Sequence, residues 1–324
     1  MMKITILGTG AFGLAIGSLL HKYNDDIDIE FWTPFREEKE EIERTHSYEK
    51  VLPDIEIDSD IKITLDIEEA VRNSSLIIVA IPCNKVRSVL ERVKPFSNKK
   101  MNFLFVSKGL EEHTNFLMSK VFEEVAVLGN FSFLAGPSFA KDLIKNVPIG
   151  LVLATTDDKT SDIVKDLFKK TNVDLKICSD IVGVQYCSVL KNSFAILMGA
   201  LSVKYHNDSS QAYFLTRMID ELRFLVVELG GQKETAMTYA GIGDLLLTCS
   251  SENSRNYRYG MLLASNLEEA EHFSEVNTVD GRFALKSVLK LCKEREIEIK
   301  LLLFLADMIE GNSNIDDIFV TFEC

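Results

Sequence analysis

A glycine-rich loop near the start of the chain links an apolar run at 3–7 to a segment of helical period at 14–20. Its glycines, Gly8, Gly10 and Gly13, have the spacing G-x-G-x-x-G. The first permits a tight turn, the second lets the backbone approach a pyrophosphate, and the third allows close packing of helix on strand. A phosphate would then lie at the helix N-terminus. The loop predicts a dinucleotide site; the alternative is a plain strand–turn–helix unit with incidental glycines.

A lysine within an apolar helix face is the second group suited to chemistry. Lys191 lies in the same stripe as Cys187, Leu190 and Phe194. An ammonium in such a stripe is partly desolvated, which lowers its pKa and suits a proton donor working near neutral pH. The alternative is a lysine at a domain edge whose ammonium reaches water.

Two polar features follow this lysine along the chain. Asp244 and Thr248 are four residues apart after a glycine-rich turn, so they share a helix face. A carboxylate near Lys191 would hold its ammonium in place, although Asp244 could equally cap the helix. The segment 250–258 carries Arg255 among amide and hydroxyl groups, a composition that can surround a phosphate dianion or form an exposed loop.

Three further residues with possible roles, two of them cations, follow the predicted strands. Lys108 directly follows an apolar run, so it either points into the crevice at the strand ends or is a solvated surface lysine. Pro82 lies in a similar loop. Arg36 follows the second strand, where a cation would bind a ribose 2′-phosphate, but it can also pair with Glu40 on a helix face. These residues do not separate NAD from NADP.

The composition limits the partners. The 324 residues carry a formal charge of -13, which disfavours binding to nucleic acid. None of the six cysteines forms a C-x-x-C pair, so we expect reduced, buried thiols. No signal peptide and no uninterrupted apolar stretch of membrane-spanning length is expected, which makes the cytoplasm the default compartment. The sequence is compatible with a homodimer, and no cluster has metal-ligand spacing.

The elements that would position these groups change character near the middle of the chain. Strands are predicted at 3–7, 27–32, 76–81, 101–106, 131–135 and 149–154, with helices such as 84–93 and 114–122 between them. This alternation predicts an α/β Rossmann-like domain with a mainly parallel sheet over residues 1–180. Segments 182–203, 213–229, 282–295 and 301–310 have helical period, which predicts an all-helical domain over 181–324.

In order along the chain, these segments resemble the NAD(P)-dependent glycerol-3-phosphate dehydrogenase family. The matching pieces are the Gly8–Gly13 loop, Ser107-Lys108-Gly109, Gly136-Pro137-Ser138-Phe139-Ala140, Lys191-Asn192, Gly241-Ile242-Gly243-Asp244-Leu245 and Ser254-Arg255-Asn256. The resemblance implies that Lys191 is catalytic, with Asp244 and Thr248 beside it. It implies a substrate-binding set of Lys108, Gly136, Ser138, Asn192, Ser254, Arg255 and Asn256. For NAD or NADP it implies Gly8, Gly10, Ala11, Phe12, Gly13, Pro82, Lys108, Ala140 and Arg255, to which Arg36 is added from its position.

Two departures from the family pattern stand out. Phe12 occupies a position where many relatives carry tryptophan, and either aromatic ring can close over the nicotinamide end. The segment 274–278 resembles the family's Glu-Gly-Val-x-Thr but lacks the glycine, so Glu275 is assigned no role.

The hypothesis is reversible, NAD(P)H-dependent reduction of dihydroxyacetone phosphate to sn-glycerol 3-phosphate, which would supply phospholipid synthesis. Lys191 would protonate the developing alkoxide, while Arg255 and Asn256 hold the phosphate. Two alternatives remain at this point: another two-domain dehydrogenase acting on a 3-hydroxyacid or sugar acid, and a non-catalytic dinucleotide-binding redox sensor.

Overall fold

The computed structural model describes residues 1–323, with side chains through Thr321. The chain divides between Ile181 and Val182 into two compact units. Unit 1 runs from Met1 to Ile181, and unit 2 begins at Val182.

Unit 1 alternates strands with helices. Its strands are β1 Met2–Leu7, β2 Ile27–Trp32, β3 Lys62–Thr64, β4 Leu76–Val79, β5 Asn102–Phe105, β6 Asn130–Ala135, β7 Ile149–Thr155 and β8 Val173–Cys178. Its helices are α1 Ala11–Tyr23, α2 Arg36–Thr45, α3 Ile67–Val71, α4 Cys83–Val93, α5 Met118–Val125, α6 Ala140–Ile144 and α7 Asp158–Phe168.

The strands form one sheet in the order β3-β2-β1-β4-β5-β6-β7-β8, parallel throughout except for the antiparallel pair β6 and β7. The first six follow the doubly wound dinucleotide-binding order, which reverses direction at β1. In register, Leu7 pairs with Trp32 on one side and with Val79 on the other. The carboxyl ends of β1, β2 and β4 therefore lie side by side, and the loops that follow them share one edge of the sheet.

Three features of unit 1 differ from the sequence prediction. β3 and β8 were not predicted: β3 has only three residues, too few to show a period, and the residues of β8 at the sheet edge are half-buried or exposed. The helix predicted at 114–122 begins only at Met118, because a bridge between Leu110 and Leu117 holds the preceding residues in a loop.

Unit 2 is helical. Its helices are α8 Ile181–Lys204, α9 Asp208–Glu228, α10 Asp244–Cys249, α11 Arg255–Ser265, α12 Leu267–Val276, α13 Asp280–Glu294, α14 Leu301–Ile309 and α15 Val320–Glu323. The four helices predicted here correspond to α8, α9, α13 and α14. Helix α10 is the short helix expected after the glycine-rich turn. Helices α11 and α12 were not predicted, and the first residues of α11 were expected in a polar segment.

Helix α8 is the core helix of unit 2 rather than an amphipathic helix with one apolar stripe. Every residue from Gly183 to Ser202 is buried. By length and hydropathy alone α8 is apolar enough to cross a membrane, but 89% of its most apolar window is buried inside the protein. Such burial is typical of a core helix, and it explains how one lysine comes to lie inside an apolar environment.

Two glycines let neighbouring helices touch the backbone of α8. A Cβ on Gly199 would lie 2.0 Å from the carbonyl oxygen of Tyr257 in α11, and a Cβ on Gly281 in α13 would lie 2.4 Å from that of Asn192. Neither distance is compatible with a larger residue at that position. These approaches bring the N-terminal turns of α11 and α13 against the middle of α8.

The cysteines only partly follow the expectation of buried thiols. Cys187, Cys249 and Cys292 are buried, whereas Cys83 and Cys178 are partly exposed. Cys324 lies outside the described residues.

A pH-dependent ion pair fixes the loop after β5. Arg87 of α4 donates from Nε and Nη2 to the two carboxylate oxygens of Glu111, at 2.7 and 2.8 Å. The hydrogen bonds from Arg87 lower the pKa of Glu111 below its ordinary value of 4.5, and Thr114 also donates to this carboxylate. A carboxylate whose pKa is lowered by folding stabilises the folded state above its unfolded pKa and loses that contribution as the pH falls.

We therefore expect Glu111→Gln to lower the free energy of unfolding by about 1 kcal/mol at neutral pH, since Arg87 is partly exposed and solvent screens the pair. The difference from wild type should shrink as the pH falls below the ordinary pKa of 4.5. Trp32, the single tryptophan, is buried in unit 1, so its fluorescence in urea titrations follows the unfolding of this unit. The matched control is Glu112→Gln at the exposed neighbouring position; an equal loss in both variants would contradict the assignment.

Candidate active site

The glycine loop is held against the neighbouring strands. The N–H of Gly8 donates to the carbonyl oxygen of Trp32 at 2.9 Å. Gly8 has a φ of 112°, and a Cβ there would lie 2.6 Å from the carbonyl oxygen of Ala80. Only glycine satisfies both conditions, so the turn is determined by this residue.

Gly10 and Gly13 leave the N-terminus of α1 open to a phosphate. Gly10 is the N-cap of α1 and lies exposed, with no side chain to accept hydrogen bonds from the first turn. Ala11 and Phe12 begin the helix half-buried, and a Cβ on Gly13 would lie 2.8 Å from the carbonyl oxygen of Gly8. An open helix N-terminus behind a glycine turn has the backbone donors and the space that a pyrophosphate needs. The loop therefore fits a dinucleotide.

The loops after β4, β5 and β6 are tied to one another at the same sheet edge. Ser107 donates to the carbonyl oxygen of Ile81 at 2.5 Å, and Lys108 Nζ donates to that of Gly136 at 3.1 Å. The Ser138 hydroxyl donates to the same oxygen of Gly136 at 3.2 Å. The structure thus brings Lys108 next to Gly136 and Ser138, although Gly136 lies 28 positions further along the chain. Two further predicted residues flank them: Pro82 is the N-cap of α4, and Ala140 begins α6.

At the end of β2, Arg36 is the first residue of α2. Its side chain is 76% exposed, and Nη1 lies 3.8 Å from Glu40 Oε1, which is the helix-face pairing that the sequence left as the alternative. Glu30 lies inside β2, buried, with its carboxylate 2.6 Å from Lys3 Nζ. Glu30 is therefore engaged within the sheet, and the role of Arg36 toward a cofactor stays a prediction.

In unit 2, Lys191 and Asp244 form a buried ion pair. Lys191 Nζ donates to Asp244 Oδ1 at 2.6 Å, and the side chains are 10% and 1% exposed. Asp244 begins α10 after a wide π-type turn at Tyr239–Gly243. Thr248, one turn further on, donates its hydroxyl proton to the carbonyl oxygen of Asp244 at 2.6 Å. Removing either charge of a pair this buried would leave its partner buried and uncompensated.

The surroundings of this pair have a low polarity. Cys249 is fully buried next to it, and this burial raises the pKa of its thiol, with the charges of Lys191 and Asp244 as smaller influences. The thiol is therefore protonated at neutral pH. In such surroundings the ammonium of Lys191 acts strongly on any charge that develops within its reach.

The N-terminal turns of α11 and α13 meet next to Lys191. Asn192 is buried, and its carbonyl oxygen contacts Gly281. The N–H of Gly281 donates to Asn256 Oδ1 at 2.9 Å, which links α13 to α11. Ser254 is the N-cap of α11: its Oγ accepts from the N–H of Tyr257 at 3.3 Å. Ser254 therefore orients the helix that carries the neighbouring Arg255 and Asn256.

One carboxylate at this position was missed by the sequence reasoning. Asp280, the first residue of α13, has Oδ2 3.9 Å from Arg255 Nη2. Partial burial raises the pKa of Asp280, and the charges of Arg255 and Lys191 act against that rise. Glu275, by contrast, is 74% exposed and pairs with His272. Segment 274–278 lacks an acid–glycine pair, but such a pair is present at Asp280-Gly281, where α13 begins. This dipeptide before a segment of helical period was a signal that the sequence contained.

Among the side chains described, residues 1–321, no three of His, Cys, Asp or Glu gather in the arrangement of a metal site. Unit 1 has a glycine loop that fits a dinucleotide. Unit 2 has a buried lysine–carboxylate pair that could take part in proton transfer.

A Rossmann-type sheet with a helical unit carrying such a pair defines the class of two-domain, dinucleotide-dependent dehydrogenases. Two family models match this chain: the NAD-dependent glycerol-3-phosphate dehydrogenase N-terminus over residues 3–161 and the corresponding C-terminus over residues 180–320. The chain belongs to the NAD-dependent glycerol-3-phosphate dehydrogenase family, and it is an oxidoreductase. The family resemblance and the predicted fold class are confirmed.

Relatives of known name agree with this membership. The chain is 34% identical over 301 residues to glycerol-3-phosphate dehydrogenase (NAD(P)+) of Thermoanaerobacter sp. (strain X514), covering 93% of this chain and 90% of the relative. It is 32% identical over 305 residues to the enzyme of the same name from Fusobacterium nucleatum, with the same coverage. The solved structure of glycerol-3-phosphate dehydrogenase from Coxiella burnetii has the same fold, with a TM-score of 0.89 at 23% identity and coverage of 99% of this chain and 98% of that one.

Proposed function

We propose that this chain reduces dihydroxyacetone phosphate to sn-glycerol 3-phosphate with NADH or NADPH, reversibly, and that the product supplies phospholipid synthesis. The names of the matching families and relatives support the substrate and the cofactor. In the reduction, the C2 carbonyl carbon gains a hydride and its oxygen gains a proton.

The buried pair of Lys191 and Asp244 is the observation that carries this proposal. An ammonium held at 2.6 Å by a carboxylate is fixed in direction, so it can donate a proton to an alkoxide without first reorganising. Asp244 keeps the ammonium aimed. The hydroxyl of Thr248 donates a hydrogen bond to the carbonyl oxygen of Asp244 and so stabilises the helical turn that carries this carboxylate.

The phosphate of the substrate has donors next to this pair. Arg255 is half-exposed at the start of α11 and offers a two-pronged guanidinium contact. The Oδ1 atom of Asn256 accepts from Gly281, so its amide nitrogen is the group that would donate to a ligand. Asn192 lies next to Lys191 in sequence, and the role of Lys108 toward the substrate stays a prediction.

When a dinucleotide is bound, its nicotinamide would supply the hydride. For the dinucleotide, Gly8, Gly10, Ala11, Phe12 and Gly13 provide the loop and the helix N-terminus. We propose that residues 1–180 form the dinucleotide-binding domain and 181–324 the substrate and catalytic domain. A small-molecule substrate is consistent with the family; a homodimer and a cytoplasmic location stay predictions.

The test is oxidation of NADH and NADPH with dihydroxyacetone phosphate, using Arg255→Gln beside wild type. Loss of the two-pronged contact should raise KM for dihydroxyacetone phosphate by about thirtyfold or more, with kcat changed much less. Arg258→Gln is the matched control, because Arg258 is exposed on the same helix and lies over the ring of Phe273 instead. Its KM should stay within about twofold of wild type.

Other outcomes would favour the alternative functions. Turnover of a 3-hydroxyacid or a sugar acid, with none of the triose phosphate, would indicate a different two-domain dehydrogenase. Binding of dinucleotide without turnover of any of these substrates would indicate a redox sensor.

A further inference from the structure

A glutamate of α2 lies against the glycine loop in unit 1. Glu38 Oε2 accepts hydrogen bonds from the hydroxyl of Thr9 at 2.5 Å and from that of Thr33 at 2.6 Å. Thr9 stands between Gly8 and Gly10 in the loop, and Thr33 is the first residue after β2. One carboxylate therefore joins the glycine loop to the end of the second strand.

The position of this carboxylate is well determined. Both threonines are buried, at 5% and 0% exposure, whereas Glu38 is half-buried. Because Oε2 accepts both hydroxyl protons, the carboxylate has a fixed orientation. Its other oxygen, Oε1, has a longer contact of 3.4 Å with the hydroxyl of Tyr48, so it retains lone pairs that can accept from a ligand.

We infer that Glu38 makes this chain select NAD(H) over NADP(H); the inference rests on the proposed use of a pyridine dinucleotide. In a doubly wound sheet the adenosine ribose lies at the end of the second strand, beside the glycine loop. A carboxylate there accepts a hydrogen bond from a free 2′-hydroxyl and repels a 2′-phosphate. Glu38 joins these two elements, a role that the sequence alone did not assign to it.

The surrounding charges act in the same direction. Arg36 pairs with Glu40, and Lys39 pairs with Glu43 while also donating to the carbonyl oxygen of Ile63. The two cations nearest in sequence are thus matched by carboxylates of their own helix.

Several carboxylates also surround the phenol of Tyr48, which contacts Glu38. Burial raises the pKa of Tyr48, and the neighbouring charges of Glu38, Glu41 and Glu37 raise it further. A 2′-phosphate would enter a region where negative charge is already in excess.

The test measures dissociation constants of NADH and NADPH by fluorescence titration of the full chain, with Glu38→Gln and the control Glu37→Gln. Wild type should bind NADH at least about tenfold more tightly than NADPH. Glu38→Gln keeps an acceptor for both threonines, and it should narrow this ratio by about tenfold through tighter binding of NADPH. Glu37→Gln removes the same charge at an exposed neighbouring position and should leave the ratio within about twofold.

Three results would overturn the inference: equal or tighter binding of NADPH by wild type, an unchanged ratio in Glu38→Gln, or the same change in both variants. The titrations contain no dihydroxyacetone phosphate, so a chain that prefers NADH but does not reduce this ketone would contradict the proposed function alone. A chain that reduces it equally well with either dinucleotide would contradict the inference about Glu38 alone. Failure to bind either dinucleotide would contradict both.

Discussion

Replacing Lys191 by methionine is expected to lower kcat for dihydroxyacetone phosphate reduction by about a thousandfold, with a much smaller change in KM. Methionine has a similar length but no proton to give and no charge to stabilise an alkoxide. Loss of a general acid costs typically 10²–10⁴ in rate, and loss of a fixed donor at a developing oxyanion costs a similar factor. Steady-state kinetics at saturating dinucleotide measures the change.

The substitution also leaves Asp244 without its cation at 1% exposure, which can cost about 3–5 kcal/mol of stability. A loss of activity through unfolding must therefore be separated from a loss of chemistry. The double variant Lys191→Met with Asp244→Asn buries two neutral side chains instead of a lone charge. We expect it to regain much of the free energy of unfolding while staying as inactive as the single variant.

Lys204→Met is the matched control for Lys191→Met. Lys204 ends the same helix, partly exposed, and pairs with Asp316. This variant should keep kcat within about twofold of wild type, since surface ion pairs contribute little. A kcat within about threefold of wild type in Lys191→Met itself would rule out Lys191 as the acid.

The second large effect concerns two glycines of the same loop. Replacing Gly8 by alanine should lower stability, whereas replacing Gly10 by alanine should weaken dinucleotide binding. Gly8 has a φ of 112°, and a Cβ there would lie 2.6 Å from Ala80 O and 2.8 Å from a side-chain carbon of Ile81. Gly8→Ala should therefore destabilise unit 1 by about 3 kcal/mol, from backbone strain together with the displaced neighbours. Urea unfolding followed by Trp32 fluorescence measures this loss.

Gly10 presents the opposite case. It has a φ of -70°, and its Cβ would lie 3.8 Å from Ala80 O, an ordinary contact. Gly10→Ala should fold with a stability within about 0.5 kcal/mol of wild type. A methyl group there would nevertheless stand where the backbone must approach a pyrophosphate, so the affinity for NADH should fall by about a hundredfold.

The contrast between these variants separates folding from binding. If Gly10→Ala binds NADH as wild type does, the phosphate does not approach the loop at this residue. If Gly8→Ala is as stable as wild type, the turn can relax, and the strain argued for Gly8 is wrong.

The sequence by itself determined the features that depend on neighbours along the chain. The turn at Gly8–Gly13 follows from the glycine spacing, and the strands β1, β4 and β5 follow from short apolar runs. The change to helices near residue 181 follows from the period of the apolar residues. These signals are local because a turn or a helix period is set by residues within a few positions of one another.

Tertiary structure decided what depends on partners distant in sequence. Glu38 follows Arg36 in a run of mixed charges, and only its hydrogen bond to Thr9, 29 positions away, gives it a role. Lys191 and Asp244 were plausible separately, but their pairing across 53 positions could not be read from periodicity. Asp280 likewise belongs to the candidate site only because its carboxylate lies 3.9 Å from the guanidinium of Arg255. A side chain's chemistry depends on which groups desolvate and contact it, and those groups are chosen by the packing of whole elements rather than by spacing along the chain.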